Sequence, residues 1–286
     1  MVELPFVGYE DREHIVRFMD SVFTRAKWST AGWRRLLDGR WSPPGQPCAV
    51  AAFDRGRMVG VIGIVATDRP TPAGPRRWTN LTSWYLDKPY RGQGIGSAMM
   101  AMAGGDPHAT VTNFTSARGA APAALRAGMV TLEHERLLWD ARPSDAPPLP
   151  VHPDPLALGA ALPDLDRKVL ADHRGLGLTG LTVETPDGLC TLVLSIKRKR
   201  EGCVTHEALY LGDAALFARH ARAIADSLLP ATGAALSVDR RFLPDGLTAG
   251  RAETIPIPRY YRPGEMPPEH IDYLYSEVAL LDMKLS

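Results

Sequence analysis

The stretch Leu86-Asp87-Lys88-Pro89-Tyr90-Arg91-Gly92-Gln93-Gly94-Ile95-Gly96-Ser97 decides how the first half of this chain folds. Before it, residues 76–86 are rich in Trp, Thr, Leu and Tyr and read as a strand. After it, Ile95, Ala98, Met99 and Met102 share one face of a helix, which Gly104-Gly105-Asp106-Pro107 stops. Glycines at the join let the backbone come close to a ligand with no Cβ in the way. The first N–H groups of a helix have no internal partner, and together with the helix dipole they attract an anion. Ser97 falls in the first helical turn and Arg91 at the rim of such a site. A Rossmann unit needs G-x-G-x-x-G after a parallel strand, whereas Gly92, Gly94 and Gly96 give G-x-G-x-G after an apparent hairpin. The Lys-Ser/Thr pair of a P-loop is absent. On the residues alone, a glycine-rich turn with no ligand stays open.

Upstream, Ile15, Phe18, Met19, Val22, Phe23 and Ala26 mark a first helix, with Glu10 and Asp11 near its positive end. A second short helix has Thr30 as its expected cap and Trp33, Leu36 and Leu37 on one face. Residues 48–53 and 58–66 flank Asp54-Arg55-Gly56-Arg57 and predict a hairpin. Downstream, a strand over 109–114, a helix over 122–127 bounded by Pro122 and Gly128, and a strand over 129–139 close the unit.

Six prolines between Pro143 and Pro155 predict a linker. The domains are therefore expected at 1–141 and 156–286, joined by 142–155. Beyond the linker, a helix is expected over 163–173, strands over 178–184, 189–197 and 203–211, a helix over 213–229 and a strand over 233–238. This order repeats hairpin, strand, helix, strand from the first half and suggests a diverged repeat. Leu209-Tyr210-Leu211-Gly212-Asp213 stands where the glycine-rich loop would fall. The fold class is α/β (α+β), with a mixed, mostly antiparallel sheet flanked by helices and a second α/β domain.

The 286 residues carry a formal net charge of +1, which argues against a broad phosphate-neutralising surface and hence against a nucleic-acid binder. The short run Lys197-Arg198-Lys199-Arg200 reads as a solvated turn. Cys48, Cys190 and Cys203 are odd in number and widely spaced, so neither a disulfide framework nor a metal site is expected. With no signal-like N-terminus and no apolar run near the ~20 residues of a membrane span, a cytoplasmic protein without membrane contact is expected. Abundant Ala, Arg and Pro suggest a bacterial source.

Arg91-x-x-Gly94-x-Gly96, in this element order, resembles the diphosphate-binding motif of the GNAT acetyltransferase superfamily. The resemblance covers about residues 1–140. Leu81 to Leu86, with Thr112-Asn113-Phe114-Thr115-Ser116, also resembles a bacterial branch of acyltransferases. It implies two central strands splayed into a cleft for acetyl-CoA or another acyl-CoA, used as co-substrate without a metal. In that frame Trp84, Tyr85 and Leu86 meet the pantetheine arm. Arg91, Gly92, Gln93, Gly94, Ile95, Gly96 and Ser97 hold the diphosphate, and Asn113 and Ser116 approach from the next strand. The implied reaction moves an acyl group onto an amine or hydroxyl of a small-molecule acceptor (an amine, a sugar or another metabolite) in a ternary complex. A homodimer is left open.

The pattern breaks twice. The position where relatives carry a glutamate base is Asn80, and the position of the usual tyrosine acid is Ala124. A water held by Asn80, Thr82 and the backbone is one candidate base, and Asn80 and Tyr85 are the candidate catalytic residues. His206, Glu207 and Tyr210 are alternatives from the second half, and a non-catalytic acyl-CoA sensor or scaffold is the competing function. Arg259-Tyr260-Tyr261-Arg262 and Tyr273-Leu274-Tyr275 either line an acceptor pocket or dock the tail.

Overall fold

The computed structural model describes residues 1–71, 73–116, 118–199, 202–247, 249–264 and 266–285. The first part of the chain runs β1 (Phe6–Val7), α1 (Arg12–Val22), α2 (Thr30–Leu36), β2 (Ala49–Asp54), β3 (Arg57–Arg69), β4 (Arg76–Leu86), α3 (Ile95–Ala103), β5 (Thr110–Asn113), α4 (Ala121–Arg126) and β6 (Val130–Asp140). It continues with β7 (Val151–His152), α5 (Asp164–Asp172), β8 (Thr179–Thr185), β9 (Gly188–Arg198), β10 (Val204–Leu211), α6 (Ala214–Leu228), β11 (Ala234–Asp239), β12 (Arg251–Tyr261) and α7 (Glu277–Leu280). Two compact units result. One is 1–132 with 257–266 and 275–281, and the other is 133–256 with 267–274 and 282–286.

In the first unit the strand order is β1-β2-β3-β4-β5, antiparallel except for the parallel β4–β5 pair. The stretch 260–261 lies antiparallel to β5 on its other side. Val50 and Ala52 alternate along β2 and Ile62 and Ile64 along β3, and with Val59, which lies at the irregular end of the β2–β3 pairing, they pack with Leu81, Met99, Met100, Val111 and Ala124. On α1, the expected face supplies buried Ile15 and Met19. Ser29, not Thr30, occupies the cap position of α2. Thr30 already has helical geometry because the turn begins one residue earlier than its sequence suggests.

In the second unit the order is β6-β11-β10-β9-β8-β7, with β10 and β11 parallel. The succession β8, β9, β10, α6, β11 therefore repeats β2, β3, β4, α3, β5, down to the crossover helix joining the parallel pair. Both units also carry a β-bulge in the third strand of the succession, between Thr82 and Tyr85 in β4 and between Ala208 and Tyr210 in β10.

The division differs from the expected boundaries. The strand expected to close the first unit, β6, pairs through Arg136–Asp140 with β11 of the second. The place beside β5 is filled by residues 260 and 261. A proline-rich composition marks exposed chain, but strand pairing decides which unit a strand joins. Tyr260 thus docks on β5, and Tyr275 packs on Trp41 and under Arg69 within the first unit.

Candidate active site

Gly94 caps α3 in the left-handed region (φ 80°), and Gly92 also has φ 77°. Any other residue pays for that backbone geometry. A Cβ at either position would meet nothing within 4 Å, so this side of the turn is open. No side chain caps α3, so its leading N–H groups lack intrahelical partners. Gly96 is needed for a different reason: a Cβ there would come within 2.6 Å of the Trp84 ring. The corresponding helix head in the second unit is closed. Asp213 caps α6 and accepts the Leu216 N–H at 2.7 Å, putting a carboxylate where an anion would bind.

The strand that leads into the turn is irregular. Val61 pairs with Tyr85 and Gly63 with Thr82, so β4 carries one more residue than β3 across this interval. Ser83 lies there with φ 50°, a costly conformation for a residue with a side chain. Trp84, Tyr85 and Leu86 lie at and beyond the bulge. Together with Arg91, Gly92, Gly94, Gly96 and Ser97 they line one wall of a cleft of about 600 Å³. Gly119, Ala120, Ala123 and Arg126, at and before α4, make the other wall. Past Asn80 and Thr112, the last residues of the parallel pair, β4 and β5 are no longer bonded to each other.

The acetyltransferase (GNAT) family model matches residues 13–103, from α1 to the end of α3. Residues 13–103 thus carry a GNAT acetyltransferase domain. Solved structures similar to the chain include a GCN5-related N-acetyltransferase from Anabaena variabilis, with a TM-score of 0.59 at 10% identity over 91% of this chain and 72% of that one. A conserved protein from Enterococcus faecalis described as a probable N-acyltransferase gives 0.56 at 10% identity, over 91% and 72%. A GCN5-related N-acetyltransferase from Kribbella flavida gives 0.54 at 12% identity, over 91% and 70%. At such identities these likenesses speak for the fold. No curated protein matches the sequence.

The GNAT domain brings most of the expected cofactor residues to one wall, but four lie elsewhere. The Gln93 amide is turned back onto the Pro89 carbonyl at 2.7 Å. Ile95 packs against the core. Asn113 and Ser116 are buried and outside the cleft lining, because β5 ends at Asn113 and the chain reaches the cleft only at 119–126. The Arg91 guanidinium is tied to the Leu86 carbonyl at 2.8 Å and stacks 5.7 Å from the centre of the Tyr85 ring, which stiffens the turn. Tyr85 itself packs edge-on against Phe18 and Phe23. Ala124 is buried on α4 and offers no hydroxyl.

Asn80 is fully buried, and both ends of its amide are used. Its Nδ2 donates to Thr112 Oγ1 at 3.1 Å, and its Oδ1 accepts the backbone N–H of Glu277 at 3.2 Å. These two bonds make Asn80 a clamp between β4, β5 and Glu277. The Glu277 carboxylate accepts from Thr115 Oγ1 at 2.7 Å, while its Oε2 is buried without a partner. Burial, opposed by the bonds from Thr115, its own amide and Asn80, pushes Glu277 up to about 7. Sequence inspection missed it. The available signal was Leu274 to Leu281, eight residues in which Glu277 is the sole charge, preceded by a serine that caps the following turn.

The alternatives from the second half serve its packing. Glu207 accepts from Ser237 Oγ and pairs with Arg136, Tyr210 donates to Asp166 at 2.6 Å, and burial lowers the His206 pKa. Lys197 pairs with Asp282, while Arg200 lies outside the described residues.

Proposed function

We propose that this chain is an acyl-CoA-dependent acyltransferase that moves an acyl group, taken as acetyl, to an amine of a small-molecule acceptor. One observation carries the reading: an uncapped helix head with two left-handed glycines shares a cleft with the bulged strand of a GNAT domain. The N–H groups at the head of α3 suit the diphosphate, which makes charge-assisted hydrogen bonds to backbone donors. Arg126 adds a cation at the opposite wall. Trp84 to Leu86 suit the pantetheine arm, and the extra residue of the bulge frees backbone from the β3–β4 ladder to polarise the thioester carbonyl.

Holding donor and acceptor together supplies much of the acceleration in such a ternary complex. The departing thiol, with a pKa of ~8.5, leaves without a strong acid, which accords with Ala124 standing where a tyrosine acid would be. Calorimetry with acetyl-CoA tests the cofactor part. The wild-type protein should bind with micromolar affinity, and Gly94→Val should lose at least tenfold through its backbone geometry and its side chain in the cleft. Release of free CoA thiol in the presence of primary amines tests the transfer. Equal binding by Gly94→Val would refute the placement of the diphosphate. Binding with no thiol release on any acceptor would favour a sensor.

A further inference from the structure

The domain lacks a base on β4, yet a carboxylate reaches the same place from 197 residues away in the sequence. Asn80 and Thr112 are the last paired residues of β4 and β5, and Glu277 is bound to both sides of the gap that opens beyond them. Its N–H is held by Asn80 on β4 and its Oε1 by Thr115 just after β5. Ser83, in the bulge, lies three residues along β4 from Asn80, about 10 Å at the rise of an extended strand. Glu277 is fully buried and outside the cleft lining, so within that span an acyl carbonyl at the bulge and an attacking nitrogen in the cleft reach the carboxylate through one water.

We infer that Glu277 is the general base of the acyl transfer, accepting a proton from the acceptor amine on its free Oε2 at the point where β4 and β5 part. The inference rests on the acyltransferase reading. The amine nitrogen forms a bond to the thioester carbon, the carbon–sulfur bond breaks, and the thiol departs as thiolate. An acceptor that arrives as an ammonium gives up two protons over the reaction. One ends on the thiolate, and the other passes through Glu277 to solvent.

Three features separate this role from mere packing. Glu277 is fully buried with one oxygen held and the other without a partner, whereas a packing residue there would be satisfied by an amide or an apolar side chain. Thr115 and Asn80 fix the carboxylate and its backbone from two strands, which preorganises it. Its environment also leaves it titrating near neutrality. The charged groups on the surrounding elements are Arg57, Asp68 and Arg69 on β3, Arg76 and Arg77 on β4, Arg34 and Arg35 on α2, and Arg259 next to the residues paired with β5; Arg69 stacks on Trp78 and Tyr275, Arg77 pairs with Asp68, Arg259 is buried, and Arg34, Arg35, Arg57 and Arg76 are exposed. None contributes to the shift, so burial sets it.

The test compares wild type, Glu277→Gln and Thr115→Val, using acetyl-CoA and a panel of primary amines. Binding is read by calorimetry and turnover by thiol release across pH 5.5 to 9. The expected result is acetyl-CoA affinity within about twofold in all three proteins. Turnover by Glu277→Gln should fall about a hundredfold or more. In wild type, kcat/KM should rise with pH through a limb near 7, and Glu277→Gln should lack that limb. Thr115→Val removes a hydrogen bond to the charged form, so its limb should move to higher pH while activity survives, and this arm stands even if Glu277→Gln fails to fold. Turnover by Glu277→Gln at the wild-type rate, or a Thr115→Val limb that does not move, would overturn the assignment. A wild-type protein that binds acetyl-CoA but turns over no amine would also overturn it while leaving the cofactor site intact. Absence of binding would remove the acyltransferase reading itself.

Discussion

Replacing Glu277 by Gln should make the protein more stable at alkaline pH. In the folded chain the carboxyl pKa is raised from 4.5 to about 7, chiefly by burial, so the folded state holds the proton more tightly than the unfolded state does. The stabilisation from that proton is complete below about pH 4.5 and is lost as pH rises through 7. Above that, the wild-type protein bears the whole cost of a buried anion. At about 1.4 kcal/mol for each pH unit between the two pKa values, the cost is about 3 kcal/mol. Glutamine does not titrate and retains an oxygen to accept from Thr115. The stability of Glu277→Gln relative to wild type should therefore climb by about 3 kcal/mol between pH 4.5 and pH 8.5. Urea unfolding of both proteins at four or five pH values measures this, because other titrating groups cancel in the difference. A difference that stays flat across that range would show that Glu277 does not titrate in the fold, and the reasoning from its burial would be wrong.

Charge reversal at Arg126, on the cleft wall away from the glycine turn, should weaken acetyl-CoA binding by about tenfold and flatten its salt dependence; unchanged calorimetry would place the diphosphate elsewhere. Burial pushes Cys48 and Cys190 up to about 12, while Cys203 is half-buried, so an aromatic disulfide reagent at pH 8 should label one thiol quickly in the native protein and three after unfolding. Rapid labelling of two or three native thiols would contradict that burial. Tyr210→Phe deprives Asp166 of a buried hydroxyl and should cost about 1–3 kcal/mol of stability, while acetyl-CoA affinity stays unchanged because both residues lie in the second unit. A loss of affinity would draw that unit into the binding function.

What could be read without coordinates was local. The turn at 91–97, the periodicities of α1 and α3, and the repeated order of hairpin, strand, helix and strand all depend on residues within a few positions of one another. Backbone preference and side-chain period act at that range. The absence of a glycine-rich loop at 209–213 was legible in the same way, whereas the cap that Asp213 places on α6 came from the structure. The structure alone decided which strand pairs where. Nothing in the composition of 130–140 says that β6 belongs beside β11, or that residues 260 and 261 run beside β5, because a strand's partner is chosen by the exposed edges the rest of the chain leaves. It also decided the chemistry proposed for the site. Asn80 signals a missing base, but the carboxylate that answers it is brought in by tertiary packing, and its near-neutral titration exists only because folding removes water from around it.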